Sequence, residues 1–240
     1  SLQAGAGQFV TLIGPSGCGK STLFNIVCGL MQPDAGEVRL DGRPERQRTG
    51  RLAYMPQKDL LLPWRNVLDN VILGPEIAGR PRSEARKEAL ALLSLFGLAG
   101  YERSYPAALS GGMKQRAAFL RAVLQARPAI LLDEPFGALD ALTRAGLQEW
   151  LLEVWARFGQ TILFITHDVE EAVFLSDRIY VLTPRPGRVA LALDVDLPRP
   201  RTRALATSAA FVRHKEQVLA ALEQSLSAGL AGNLATDEHR

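Results

Sequence analysis

The stretch QFVTLIGPSGCGKSTLFNIV, Gln8 to Val27, passes through three kinds of sequence in quick succession. Phe9 to Ile13 is a β-branched and aromatic run that reads as a strand feeding a loop. Gly14, Gly17 and Gly19 then let the backbone turn where side chains would obstruct it. From Lys20 onward the pattern is helical. Strand, glycine loop and helix in this order match G-x-x-x-x-G-K-S/T, whose N–H groups and helix N-terminus together cradle an anion. Gly14, Pro15, Ser16, Gly17, Cys18, Gly19, Lys20, Ser21 and Thr22 therefore read as a phosphate-binding loop. Lys20 would bridge the β- and γ-phosphates, Ser21 would ligate Mg²⁺, and Thr22 would add a phosphate contact.

The stretch AILLDEP at 129 to 135, an apolar run with no alternation, has the pattern of a strand buried on both faces and ends in two acids. Ligands of open α/β sheets bind at the carboxyl ends of strands, so Asp133 is placed to hold Mg²⁺ through water. Glu134, one residue on, is placed to orient and polarise an attacking water.

Apolar runs at 9–13, 38–40, 52–55, 129–132, 162–166 and 178–182 read as strands, with helical patterns at about 20–30, 66–78, 83–97, 112–126, 142–157 and 168–175. Strands separated by helices predict an α/β fold with a parallel or mixed sheet. Between about 58 and 127 the strand signals vanish, which predicts a helical insertion. The divisions expected are an α/β core over 1–57 and 128–196, a helical subdomain over 58–127, and a C-terminal helix and tail over 197–240. The last helix carries Phe211, Val218, Leu222 and Leu226 on one side. Because the chain opens on Ser1 and almost directly on a strand, a further upstream segment is expected.

Composition excludes several other classes. The chain has 240 residues, 47% apolar and 22% charged, ample for a core without disulfide staples. A net charge of +3 is too small and too scattered to argue for nucleic acid. The densest basic run, GRPERQRTGR at 42–51, reads as a solvated loop. Two cysteines, Cys18 and Cys28, supply neither a disulfide framework nor a zinc cluster, and Cys18 reads as filling a small position. No run is long and apolar enough to span a membrane.

Taken together, GPSGCGKS (14–21), LSGG (109–112), ILLDEP (130–135), GALD (137–140) and ITHD (165–168) resemble the nucleotide-binding subunits of ATP-binding cassette (ABC) transporters. The resemblance implies a phosphate-loop (RecA-like) NTPase core with an inserted all-helical signature subdomain, working with ATP and Mg²⁺. It implies a head-to-tail dimer in which Ser110, Gly111 and Gly112 of one copy close on the γ-phosphate held by the other. Gln57 matches the glutamine that touches Mg²⁺ and the attacking water, His167 the switch histidine, and Asp140 the acid of the loop crossing the dimer interface. Catalytic roles thus fall on Glu134, His167 and Gln57, and metal-holding roles on Ser21, Gln57 and Asp133. His214 and His239 read as solvated. The usual signature glutamine is Met113 here, and no upstream aromatic is present to stack on adenine; Phe9 reads as core.

The segment QKDLLLPWRNVLDNV, 57 to 71, lies in the lobe that this family presents to a permease, so contact is expected near Leu60 to Asn70. Trp64 and Leu60 to Leu62 either pack inside the lobe or form an anchor at a partner surface. The LLPW form is similar to importers of the nitrate, sulfonate, taurine and thiamine-precursor type. That implies a peripheral subunit on the cytoplasmic face of the plasma membrane, served indirectly by a solute-binding protein. The alternative is a soluble ABC-type ATPase acting on DNA or ribosomes, for which the coiled-coil insertion and cysteine pairs of such proteins are lacking.

Overall fold

The computed structural model describes residues 1–237, with side chains through Ser227. In chain order the elements are β1 (Phe9–Ile13), α1 (Lys20–Val27), β2 (Arg39–Leu40), β3 (Arg43–Pro44), β4 (Ala53–Met55), α2 (Val67–Val71), α3 (Leu73–Ile77) and α4 (Arg82–Leu93). Then follow α5 (Gly111–Val123), β5 (Ala129–Asp133), α6 (Ala141–Phe158), β6 (Thr161–Thr166), α7 (Val169–Leu175), β7 (Arg178–Leu182), β8 (Val189–Asp194) and α8 (Ala209–Asp237). They divide into two compact units: residues 1–47 with the chain from Thr161 onward, and residues 48–160.

In the first unit β1 is the organising strand. It pairs in parallel with β6 on one side, Phe9 opposite Ile162 and Ile13 opposite Thr166, and in parallel with β7 on the other. All five of its side chains are buried, and the Phe9 ring lies 5.7 Å from that of Phe164. Phe9 is thus core, as expected. β8 adds to β7 in antiparallel fashion at the edge. This edge strand has no counterpart in the apolar runs, because VALALD is alanine-rich and mostly solvent-exposed.

The segment 197–203, which looks like a bare joint in the sequence, is tightly docked. Helix α7 ends with carbonyls that no helical N–H can satisfy. The Arg201 guanidinium donates to three carbonyl oxygens there, those of Val173, Phe174 and Ser176. Its side chain is fully buried; burial pushes its pKa down to about 10, which leaves it cationic at neutral pH. Arg199 donates to the Leu175 carbonyl and to Asp177 Oδ1, while the other Asp177 oxygen accepts from the Phe9 N–H. The tail is therefore wired to the start of the central strand.

Helix α8 docks through Phe211, His214, Val218 and Ser225, all buried. His214 is not solvated: its Nε2 lies 2.6 Å from Asp196 Oδ1, and that hydrogen bond holds the Asp196 carboxyl below the usual range. The reason is helical spacing, since residue 214 sits three after Phe211 and four before Val218 on the same stripe. Leu226 lies off that stripe and is exposed. His239 lies outside the described residues.

In the second unit β4 and β5 pair in parallel, Met55 opposite Leu132, and the chain between them is helical apart from turns. The helical pattern at 66–78 forms two helices that meet at Ile72. Pro75 supplies the break: its ring lacks an N–H and crowds the carbonyl four residues earlier. Trp150 sets the hydrophobic centre, edge-on to Phe96 and Phe119, with Arg116 stacked 5.1 Å from its ring and its indole N–H donating to the Leu95 carbonyl. Arg48 corrects the reading of 42–51 as uniformly solvated, for it is only 2% exposed; an arginine stem buries readily when its head finds partners.

Replacing Arg201 by alanine leaves buried carbonyls of α7 unsatisfied and should lower stability by about 2–4 kcal/mol. A urea midpoint shift with an unchanged m-value would show it, and an unshifted midpoint would refute the wiring described here.

Candidate functional site

The carboxyl end of β1 opens directly into the glycine loop. Gly17 and Gly19 have φ of 76° and 105°, the left-handed region in which a side chain would be strained. The Cys18 N–H turns back toward the Pro15 carbonyl at 3.4 Å, and the Leu23 N–H to Gly19 oxygen bond starts α1. No side chain caps α1, so its first-turn N–H groups stay available to an anion, reinforced by the helix dipole. Ser21 and Thr22 are exposed at that end. Lys20 is folded inward, its Nζ donating to the Gly14 and Pro15 carbonyls at 2.7 and 3.0 Å. Such an ammonium holds the loop closed on itself and can exchange those carbonyls for phosphate oxygens. His167 is exposed one residue beyond β6. Because Ile13 and Thr166 are paired, His167 leaves its strand abreast of Gly14.

In the second unit the acids stand at the end of β5. Asp133 is only 4% exposed, and one of its oxygens accepts from the Tyr54 hydroxyl at 3.4 Å. Tyr54 does not figure among the residues expected from the sequence. Its signal is the register: it pairs with Leu131, two residues before Asp133 and therefore on the same face. Glu134 has φ of 47°, an unusual conformation for a residue with a side chain and one that concentrates at functional sites. Gln57, two residues past β4, donates through Nε2 to Glu134 Oε2 at 3.3 Å. Residues 77 positions apart are joined here by parallel pairing of short strands.

Ser110 caps α5, its Oγ accepting from the Met113 N–H at 3.3 Å, so Met113 is compatible with the capped helix start. A Cβ on Gly111 would lie 3.2 Å from Leu139 Cδ2, and one on Gly112 would lie 3.1 Å from Thr143 Cγ2. These glycines therefore serve close packing against the 139–143 segment as well as presenting backbone N–H groups. Asp140 caps α6 by accepting from the Thr143 N–H at 3.0 Å. That backbone hydrogen bond holds its carboxyl below the usual range.

The segment following Gln57 does not pack as a whole inside the lobe. Trp64 is 71% exposed and Leu60 58%, whereas Leu61 is buried. Beneath them, fully buried Asn70 accepts from the Leu62 N–H and donates to the carbonyls of Leu62, Arg65 and Asn66. Arg121 of α5 donates to the carbonyls of Asp59 and Leu60, and burial lowers its pKa. The exposed apolar residues thus sit on a loop whose backbone is anchored from below. Asn70 and Arg121 are missed by motif reading because each acts only on main-chain groups.

A family model described as ABC transporter matches residues 1–137. A taurine import ATP-binding protein of Yersinia pestis is 43% identical over 224 residues, covering 91% of this chain and 88% of that protein. Among solved structures, a dimeric ATP-binding cassette in a post-hydrolysis state bound to ADP and Pi aligns with TM-score 0.70 and 32% identity, over 82% of this chain and 89% of that one. The cbiO1 protein of Clostridium perfringens, part of the ABC transporter complex cbiONQ, aligns with TM-score 0.72 and 26% identity, over 80% and 79%.

Substituting Asn70 by alanine removes the partner of the Leu62 N–H and of the Arg65 carbonyl, while the Leu62 and Asn66 carbonyls keep backbone donors, and should cost about 1–3 kcal/mol. Denaturant unfolding measures the loss, and faster amide exchange at residues 62–66 should accompany it; unchanged exchange there would argue against Asn70 as the anchor.

Proposed function

The chain belongs to the ABC transporter family as the ATP-hydrolysing subunit of an importer, and we propose that it drives a permease for a small solute of the taurine type. Nitrate, other sulfonates and thiamine pyrimidine precursors are the other small anionic or heterocyclic solutes to which the resemblance extends. The observation that carries the site assignment is the Gln57–Glu134 contact at the paired ends of β4 and β5. A carboxylate that already engages a side-chain amide is suited to hold and polarise a water through the same two groups.

In this reading Gly14 to Thr22 hold the phosphates of ATP, with Lys20 moving from the Gly14 and Pro15 carbonyls onto the β- and γ-phosphates. Glu134 takes up the proton side of the attacking water, Gln57 fixes that water's orientation, and His167 donates to the γ-phosphate. Ser110, Gly111 and Gly112 of a second copy complete the γ-phosphate cradle, and Asp140 lies at the junction of the two copies. The oxygen-donor character of Ser21, Asp133 and Gln57 suits Mg²⁺, a hard cation that keeps several waters and phosphate oxygens. These three residues would hold it, and it would neutralise charge on the β- and γ-phosphates.

Two further observations support the transport reading. Leu60 and Trp64 are exposed on an anchored loop, which suits docking to a permease. Among the described residues no helix is long and apolar enough to cross a membrane, so the chain would join the membrane through that partner, on its cytoplasmic face. The solute-binding protein would act through the permease. Importer relatives favour this role over work on DNA or ribosomes.

Glu134→Gln should reduce ATP turnover by about 10²-fold or more while retaining ATP and trapping an ATP-dependent dimer. Size-exclusion chromatography with and without Mg-ATP reads the dimer; undiminished hydrolysis would overturn the role of Glu134. The trapped protein, used as bait on solubilised membranes, should retain a multi-helix permease. Retention of ribosomes or DNA-repair proteins in its place would overturn the transport role.

A further inference from the structure

The turn between β7 and β8, TPRPGR at 183–188, is built as a self-closed loop. Thr183 and Arg188 share a backbone hydrogen bond of 2.8 Å. The Thr183 hydroxyl oxygen accepts from the Arg188 N–H, and its O–H lies within reach of the carbonyls of Pro184 and Pro186. Two prolines restrict it further. The turn and the end of β7 that leads into it lie against the glycine loop at one place each where only a hydrogen fits. A Cβ on Gly187 would collide with the Cys18 carbonyl oxygen, and one on Gly14 would stand 2.9 Å from the Leu182 carbonyl oxygen.

Arg185 makes the third contact, its Nε–H donating to the Gly17 carbonyl at 2.9 Å. The N–H of Cys18 and the carbonyl of Gly17 belong to one trans peptide and therefore point in opposite directions. The N–H faces the Pro15 carbonyl, and the carbonyl faces Arg185. That peptide plane is consequently held from both sides. Its flip turns on ψ of Gly17 and φ of Cys18, and with left-handed Gly17 on one side it would otherwise flip more readily than a peptide between two residues with side chains, because glycine imposes little barrier between the two hands.

We infer that the 183–188 turn is an external brace of the phosphate loop and that Arg185 is its positioning residue for nucleotide binding. The inference rests on the reading of Gly14 to Thr22 as the phosphate loop. Arg185 acts through the Gly17–Cys18 peptide, keeping the loop's N–H groups oriented before nucleotide arrives. Preorganisation of this kind favours ground state and transition state alike, so it shows in affinity and leaves the chemical step unchanged.

The test is equilibrium binding of the fluorescent analogue TNP-ATP, with Mg²⁺, to the full chain, alongside steady-state ATPase kinetics and thermal unfolding. Arg185→Ala should weaken binding by about 5–10-fold and raise KM for ATP similarly, with kcat within about twofold of the parent chain. Arg185→Lys, which keeps a cationic donor, should recover most of the affinity. Gly187→Ala should shift affinity in the same direction as Arg185→Ala; because Arg185 is exposed, its variant remains informative even where Gly187→Ala does not fold. Lys20→Ala is the control. If Lys20→Ala abolishes binding while Arg185→Ala binds like the parent chain, the brace is refuted and the phosphate loop stands. If Lys20→Ala binds normally, the phosphate-loop reading fails and takes the brace with it. A fall in kcat at unchanged KM in Arg185→Ala would also refute the positioning role.

Discussion

Parallel pairing of β1 with β6 and β7 is the constraint on which the first unit depends. Five buried residues, with no polar face among them, fix the strand between two neighbours, and a parallel partner on each side leaves all three carboxyl ends at one edge. The glycine loop, His167 and the 183–188 turn issue from those three ends. None of them needs a folding instruction of its own to meet the others; the register does it. The same rule operates in the second unit at smaller scale, where three residues of β4 and five of β5 suffice to bring Gln57 to Glu134.

A second theme is that, alongside arginines that pair with carboxylates, three others work on carbonyl oxygens. Arg201 serves the end of α7, Arg121 the loop after Gln57, and Arg185 the glycine loop. Each reaches main-chain acceptors that regular secondary structure leaves unpaired. A planar fork with several donors suits this task better than a single ammonium. Spread over three distant segments, these residues add to the basic count of the composition without forming a basic surface.

Legibility in the sequence follows the density of local constraint. The glycine loop is legible as a strand–turn–helix because strand, left-handed glycines and helix start must occur in one order within a few residues. Glu134 and Asp133 are legible as strand-end acids, but the Tyr54 hydroxyl beside Asp133 depends on the register of β4 against β5, which neither strand encodes alone. His214 had a readable signal in its spacing from Phe211 and Val218, overridden by the polarity of the residue type. Arg199 and Arg201 had none, since a proline–arginine joint looks alike whether solvated or docked. Strand β8 was hidden by its alanines, and the break at Ile72 needed the position of Pro75 to be weighed against an otherwise continuous helical pattern.

The anchored loop after Gln57 has a consequence for how its exposed face can be used. Asn70 and Arg121 fix the main chain beneath Leu60 and Trp64 before any partner is present, so the ordering entropy that a flexible loop would surrender on docking has already been spent during folding. Such a face behaves as a rigid tooth. A push on it would reach α5 through the Arg121 bonds to the Asp59 and Leu60 carbonyls, with little slack to absorb it.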